Sequence, residues 1–215
     1  MNDTLTFAEY APLARKTLKL LPFGPHMGHM GLGLVGEMGE FVDGLKKSLI
    51  YGKPLDAVNL LEEVGDKAWY AANLLEELMI SPDVLQQGYA QGLREVTMMH
   101  AAGLPEQVDR DFLRVAHLLS VNFLLAATAV QIQCVPGVPD YKGVAPNSPE
   151  ARDCIFTFGQ CLGIVCGLFD IDMGSSLARN IAKLSARYPD KFTEAAALSR
   201  DLTAERTALE GGAAA

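Results

Sequence analysis

The chain has 215 residues, 49% of them hydrophobic and 20% charged, which fits one globular domain with an elaboration and excludes a disordered or fibrous class. A formal net charge of −8 excludes sequence-independent binding to a nucleic-acid backbone, which needs clustered Lys and Arg. It leaves a small anionic substrate open, because a bound cation and a few local basic groups can reverse the field at one site. The N-terminal stretch MNDTLTFAEYAPLARK carries charges throughout and does not read as a signal peptide. Cys134, Cys154, Cys161 and Cys166 form no CxxC pair and have no His at ligand spacing, so they read as reduced core thiols.

No stretch sustains the alternation of a strand, and the hydrophobic periodicity throughout predicts an all-α protein. A first helix is expected from about Thr6 to Leu21, ending at Pro22, and PFGPHMGHM is expected to be a breaker-rich loop. A second helix is expected from about Gly28 to Leu49, then a turn at YGKPLD, then a third helix with Pro54 near its start and its end near Met79. Ser81-Pro82-Asp83 opens a fourth. Asp109–Gln133 is a strongly apolar helix, the proline-rich CVPGVPDYKGVAPNSPE a loop, and Ala151–Phe169 and Ser175–Ser185 are further helices. A charged terminal helix is expected from about Glu194 to Glu210. Leu118–Val135 and Ile155–Ile171 are apolar enough to suggest membrane spans, but internal Asn, Gln and Gly and a length at the lower limit of about 17 residues favour buried bundle helices and no membrane partner.

Two patterns have competing readings. Gly31, Gly33 and Gly36 fit GxGxxG, but no strand precedes them and acidic residues follow where a pyrophosphate would sit. Close helix–helix approach at Gly33, Gly36 and Gly39 is the better use of small residues that each cost about 1 kcal/mol of helix propensity. The plan of Asp111–Gln133 followed by ARDCIFTFGQCLGIV echoes the second and third helices, with Glu150 and Asp153 repeating an ExxD spacing. The echo reads as a stacked second helix pair or as the general likeness of buried helices.

Four carboxylates carry the chemistry. Glu37 and Glu40 in GLVGEMGEFVDGLKK, and Glu63 and Asp66 in NLLEEVGDKAWYAANLL, are each spaced i, i+3, so each pair occupies one side of its helix. Solvated helices are full of glutamates, and Glu76 and Glu77 read as such. The two pairs differ because apolar residues such as Leu34, Met38, Phe41, Leu60 and Val64 surround them. Packed side by side, the helices would gather four anions that need a compensating cation, and oxygen ligands of this kind select Mg²⁺ or Mn²⁺. Spacing alone leaves the metal site and surface decoration both open.

These segments resemble the MazG-like branch of the all-α nucleoside triphosphate pyrophosphohydrolases, whose signature is ExxE followed by ExxD about two dozen residues later. The likeness extends to Asp43, Lys46 and Lys47 after the first pair and to Asn73 after the second. It resumes in NIAKLSARYPDKF near the C-terminus, is specific over about 28–78 and 178–205, and is missing over roughly 80–172. The resemblance implies a single domain over 1–215 with a four-helix-bundle core and a helical insertion at about 80–172.

It further implies hydrolysis of a (d)NTP to (d)NMP and pyrophosphate, with two or three Mg²⁺ (or Mn²⁺) ions per site held by Glu37, Glu40, Glu63 and Asp66. One glutamate, such as Glu37, would double as base for the attacking water. Glu62 reads as a surface or supporting charge. Lys46 and Lys47 read either as phosphate ligands or as ordinary charges at a helix C-terminus. By resemblance Asn73 contacts sugar or phosphate, while Asn180, Lys183, Arg187 and Tyr188 close the site with cations and a stacking surface. Tyr188 and Trp69 read equally as core residues, and His26 and His29 as phosphate contacts or exposed loop histidines. The implied setting is the cytoplasm of a bacterium or a phage-infected cell, with the chain a homo-oligomer (dimer or tetramer). A guanine nucleotide is one candidate substrate, a dUTPase- or dCTPase-type specificity another, and a non-catalytic helical bundle holding a structural ion or a basic partner is the reading from a different class.

Overall fold

A computed structural model describes residues 4–102 and 147–210, and all regular structure among them is helical. The helices are α1 (Phe7–Lys16), α2 (Phe23–Leu49), α3 (Ala57–Glu77), α4 (Pro82–Ala101), α5 (Pro149–Leu168), α6 (Met173–Arg187), α7 (Glu194–Leu198) and α8 (Leu202–Leu209). Side chains start most of them. Thr6 and Glu9 form a reciprocal capping box on α1. Asp56, Ser81, Ser148 and Asp172 accept backbone N–H bonds at the starts of α3, α4, α5 and α6.

Several boundaries differ from expectation. PFGPHMGHM is helix rather than loop: α2 begins at Phe23 after Pro22, and Pro25 falls in the first turn, where a missing N–H breaks no bond. His26 and His29 are therefore helical residues. α1 stops at Lys16, five residues short of the expected end, with Thr17 capping onto the Ala14 and Arg15 carbonyls. The terminal helix is two short ones, because Asp201 caps α8 afresh through Thr203 and Ala204. The expected Asp109–Gln133 helix, the first suggested membrane span, Cys134 and most of the proline-rich loop lie outside the described residues. Glu150 and Asp153 are exposed on α5, so on the described side of the echo the ExxD pair faces solvent.

Two tight pairs organise the chain: α2 packs on α3, and α4 on α5. α1 lies against α3, α4 and α6, and α6 packs on α3 on one side and α8 on the other. The shared core is apolar and closely filled, with Phe7, Tyr10, Met27, Met30, Leu34 and Phe41 among the residues excluded from water. Chain re-entry is fixed at Asn147, whose N–H donates to the Leu78 carbonyl at 2.7 Å. α5 is the one described helix long and apolar enough to cross a membrane, and 61% of its most apolar window is buried inside the protein. Cys154, Cys161 and Cys166 are buried, and burial raises the thiols of the last two well above the usual range, Cys161 to about 12.

The α4–α5 contact is backbone against backbone. Gly88 and Gly92 on α4 face Gly159 and Gly163 on α5, each pair at GxxxG spacing. A Cβ at Gly92 would collide with the Gln160 carbonyl, and one at Gly163 with the Tyr89 carbonyl. No rotamer change relieves a clash with main chain, so only these glycines permit the approach. On α2 the expected role for glycine holds at one position only. Gly33 makes room for the Tyr70 ring of α3, whereas a Cβ at Gly36 or Gly39 meets nothing within 4 Å.

The two glycine classes should respond in opposite directions. Gly92→Ala is expected to destabilise by about 1–3 kcal/mol through overpacking. Gly36→Ala, in open space on a helix, is expected to stabilise by about 0.5–1 kcal/mol. Urea unfolding midpoints of the two variants against the parent check this; equal shifts of one sign would refute the packing account.

Candidate metal centre

The i, i+3 spacing on α2 and the packing of α2 on α3 bring Glu37, Glu40 and Glu63 together. One carboxylate oxygen from each lies within 4.8 Å of the others. Glu63 is only 4% exposed, and its Oε2 is buried with no hydrogen-bond partner among protein groups. A buried carboxylate oxygen without a donor is costly unless a cation meets it or a proton neutralises it, and Glu37 lies close enough to Glu63 to share one. Three hard oxygen donors on two rigid helices suit a divalent ion such as Mg²⁺ or Mn²⁺.

Burial first, then the charges of Asp66 and Glu40, push the Glu37 carboxyl up to about 7. Burial and the Glu37 charge push Glu63 up to about 8.

Asp66 does not join the three. Its Oδ1 accepts from the Asn180 amide and from the Lys183 ammonium, both at 2.6 Å, and Lys183 also reaches Oδ2 and Glu62 Oε1. Lys183 is buried, which opposes its charge, yet Asp66 and Glu62 outweigh that and hold it above its ordinary range. The fourth carboxylate is thus engaged by α6, and Glu62, read as a supporting charge, shares the same ammonium.

A cavity of about 430 Å³ opens on this cluster. Glu37, Glu40, Glu62, Glu63 and Asp66 line one part of it, with Lys183 against Asp66 and Glu62. His29, Trp69 and Tyr70 form an aromatic wall, with Trp69 and Tyr70 edge to face at 4.9 Å. Tyr188 and Phe192 form another, with ring centroids 5.4 Å apart, and Lys19, Arg187 and Arg200 supply positive charge. Trp69 is held by bonds from its indole N–H to Thr17 Oγ1 (2.9 Å) and the Ala14 carbonyl (3.2 Å). Burial and the Glu37 charge raise the Tyr70 hydroxyl to about 12. Burial, then His26 and Lys19, lower His29, so its ring is neutral at physiological pH.

The remaining expected residues fall in three places. Lys46 and Lys47 both pair with Asp43, at 2.5 and 2.8 Å, on an exposed face. Lys47 lines a second cavity of about 540 Å³ that adjoins the first at Glu40, Asn59 and Glu63, while Lys46 lines neither. Asn180 sits beneath Asp66, accepting from the Tyr10 hydroxyl at 2.7 Å. Asn73 is buried with its amide bonded to the Trp69 carbonyl and lines neither cavity. His26 is also buried, with Nε2 3.4 Å from the Asn73 carbonyl, while His29 lines the cavity.

Sequence reasoning missed Lys67, Arg200 and Glu205. Lys67 is fully buried behind the cluster, its Nζ 4.1 Å over the Phe41 ring and without a hydrogen-bond partner. Burial lowers it to about 8, against the opposing charges of Glu63, Glu37 and Asp66. Its position, three residues before Tyr70 on the apolar side of α3, was a visible signal. Nothing local marks Arg200 and Glu205, whose partners come from other elements. No protein-family model, no curated protein and no solved structure matches the chain.

Because Glu37 and Glu63 are raised from 4.5 to about 7 and 8, the folded protein binds more protons than the unfolded chain across that window. Stability therefore declines as pH rises through it. Chelator-treated protein is expected to melt higher at pH 5.5 than at pH 8. Thermal scans of the parent and of an E37Q/E63Q double variant test this, since the variant should lose most of the pH slope; an unchanged slope would assign it to other groups.

Proposed function

We propose that this protein is a metal-dependent (d)NTP pyrophosphohydrolase, cleaving between the α- and β-phosphates to give (d)NMP and pyrophosphate. The observation that carries the reading is the convergence of Glu37, Glu40 and Glu63, with a buried partnerless oxygen on Glu63, in a cavity that aromatic rings and the cations Lys19, Arg187 and Arg200 also line. The MazG-like resemblance of the segments that supply those residues supports the same activity and a cytoplasmic setting.

In this reading α1, α2, α3 and α6 form the four-helix-bundle core, and α4 and α5 belong to the insertion. Glu37, Glu40 and Glu63 would hold Mg²⁺ or Mn²⁺. Divalent ions at such a site screen phosphate charge and acidify the attacking water. One glutamate takes the proton of that water as its oxygen bonds to the α-phosphorus. The α–β bridging bond breaks and its electron pair leaves with pyrophosphate. Lys183, held between Asp66 and Glu62, offsets part of the repulsion that the fourth carboxylate adds. Arg187 and Arg200 face the polyanion, and the aromatic walls offer a stacking surface for the base. A purine deoxynucleotide such as dGTP is the first candidate, a pyrimidine dNTP the next, and a dimer or tetramer the working assembly.

One observation favours a second reading. With Lys183 on Asp66 and Lys67 behind Glu63, two internal ammonium groups already offset much of the acidic charge. A single structural ion would then complete a non-catalytic bundle.

Incubation with each dNTP and Mg²⁺ or Mn²⁺ is expected to release pyrophosphate, and Glu63→Gln to reduce the rate on the order of 100- to 1,000-fold, the scale of losing one electrostatic group at a reacting centre. Metal binding without turnover of any triphosphate would favour the structural ion. Orthophosphate as the sole product would overturn the α–β assignment.

A further inference from the structure

Glu205 stands apart from the carboxylate cluster and is tied to the cavity by two arginines. It lies in the first turn of α8 with its side chain 5% exposed. Arg187, the last residue of α6, reaches it through Nε at 2.8 Å and through Nη2. Arg200, in the link between α7 and α8, reaches the same two oxygens through Nε at 3.3 Å and Nη2 at 2.8 Å. One carboxylate thus grips two guanidinium groups from different elements, each by a two-point fork, and leaves Nη1 of each uncommitted to it. Both arginines line the cavity that Glu37, Glu40 and Glu63 also line.

A clasp meant only to fasten α8 needs no second arginine. α8 is already tied to α6 through Arg179 and the Leu209 carbonyl, and to the start of α3 through Arg206 and Asp56. Arg200, at 45% exposure, adds little as a surface ion pair but much as a fixed cation at a cavity wall. Burial works against the charge on Glu205, but the bonds from Arg187 and Arg200 outweigh it and hold the carboxyl down at about 2, so the clasp stays ionised at any working pH.

We propose that Glu205 is a positioning residue that presents Arg187 and Arg200 as a paired cation site for the phosphate chain of a polyphosphate in the cavity. The inference rests on the pyrophosphohydrolase reading for its substrate. Free arginines would have to be ordered as the anion arrives, and the Glu205 forks do that in advance.

The test uses the full-length chain with Glu205→Gln, Glu205→Asp and Arg200→Gln. Steady-state kinetics on the best dNTP are run beside calorimetric binding of inorganic tripolyphosphate in Mn²⁺. Glu205→Gln is expected to raise KM about tenfold with kcat changed less than threefold, and Glu205→Asp to recover part of the loss. Arg200→Gln, at an exposed position that folding tolerates, is expected to raise KM severalfold with an unchanged Tm. A folded Glu205→Gln or Arg200→Gln protein whose KM and tripolyphosphate affinity are within twofold of the parent, or improved, overturns the proposal. A lowered Tm with KM unmoved would mean a structural clasp only. If the parent binds tripolyphosphate without hydrolysing any dNTP, the enzymatic reading fails while the affinities of the variants still decide the role of Glu205. Absence of tripolyphosphate binding by a parent that hydrolyses a dNTP overturns the paired-cation site and leaves the enzymatic reading standing.

Discussion

Repulsion between like charges on α2 and α3 is the constraint around which the protein is arranged. The helix pair puts Glu37, Glu40, Glu63 and Asp66 within mutual influence, and burial forbids water from screening them fully. Each responds differently. Asp66 is matched by an ammonium from α6, Glu63 has Lys67 behind it, and Glu40 is exposed. What is left is a group of three carboxylate oxygens whose charge Lys67 and Lys183 offset only in part. The packing of α6 on α3 follows from this as much as from hydrophobic burial, because Lys183 and Asn180 both reach across it to Asp66.

Charge also divides the cavity. Five acids line it together with Lys183, which bonds two of them, and Lys19, Arg187 and Arg200 line it as well. The arginines are not loose: they are shared with Glu205, a carboxylate that does not itself line the cavity. An anion carrying several negative groups and its own cations suits both sets of charges, whereas a purely cationic ligand suits only the acids. The overall charge of −8 therefore says little about what this cleft prefers.

Local sequence made some of this legible and hid the rest for a physical reason. The i, i+3 acids in an apolar frame were readable because the helix period alone sets their side, and three of them do meet. That Asp66 would be taken by Lys183 was not readable, since the partner lies 117 residues away and depends on how α6 docks. Gly36 and Gly39 looked like packing glycines by spacing, yet only Gly33 faces a neighbour, because spacing marks a stripe and not what lies across from it. The start of α2 was hidden by Gly24 and Pro25, breakers in mid-helix that a first turn accepts. Arg187, Arg200 and Glu205 lie near one another in sequence, at separations of 18 and 5 residues, but on different elements that no single helical period spans, and their meeting depends on how α8 docks on α6.

The seam between α4 and α5 also bears on how the chain can change over time. Every amino acid other than glycine brings a Cβ, and at Gly88, Gly92, Gly159 and Gly163 that first carbon already strikes main chain of the facing helix. There is no conservative neighbour for drift to sample and no gradual route between one filler and another. Variation in this part of the molecule is channelled to the outward faces of the two helices, leaving the four glycines as a fixed mark by which the pair can be traced in a diverged sequence. The carboxylates that attract attention first are held by their charge, while the helices farthest from them in character are held by the complete absence of a side chain.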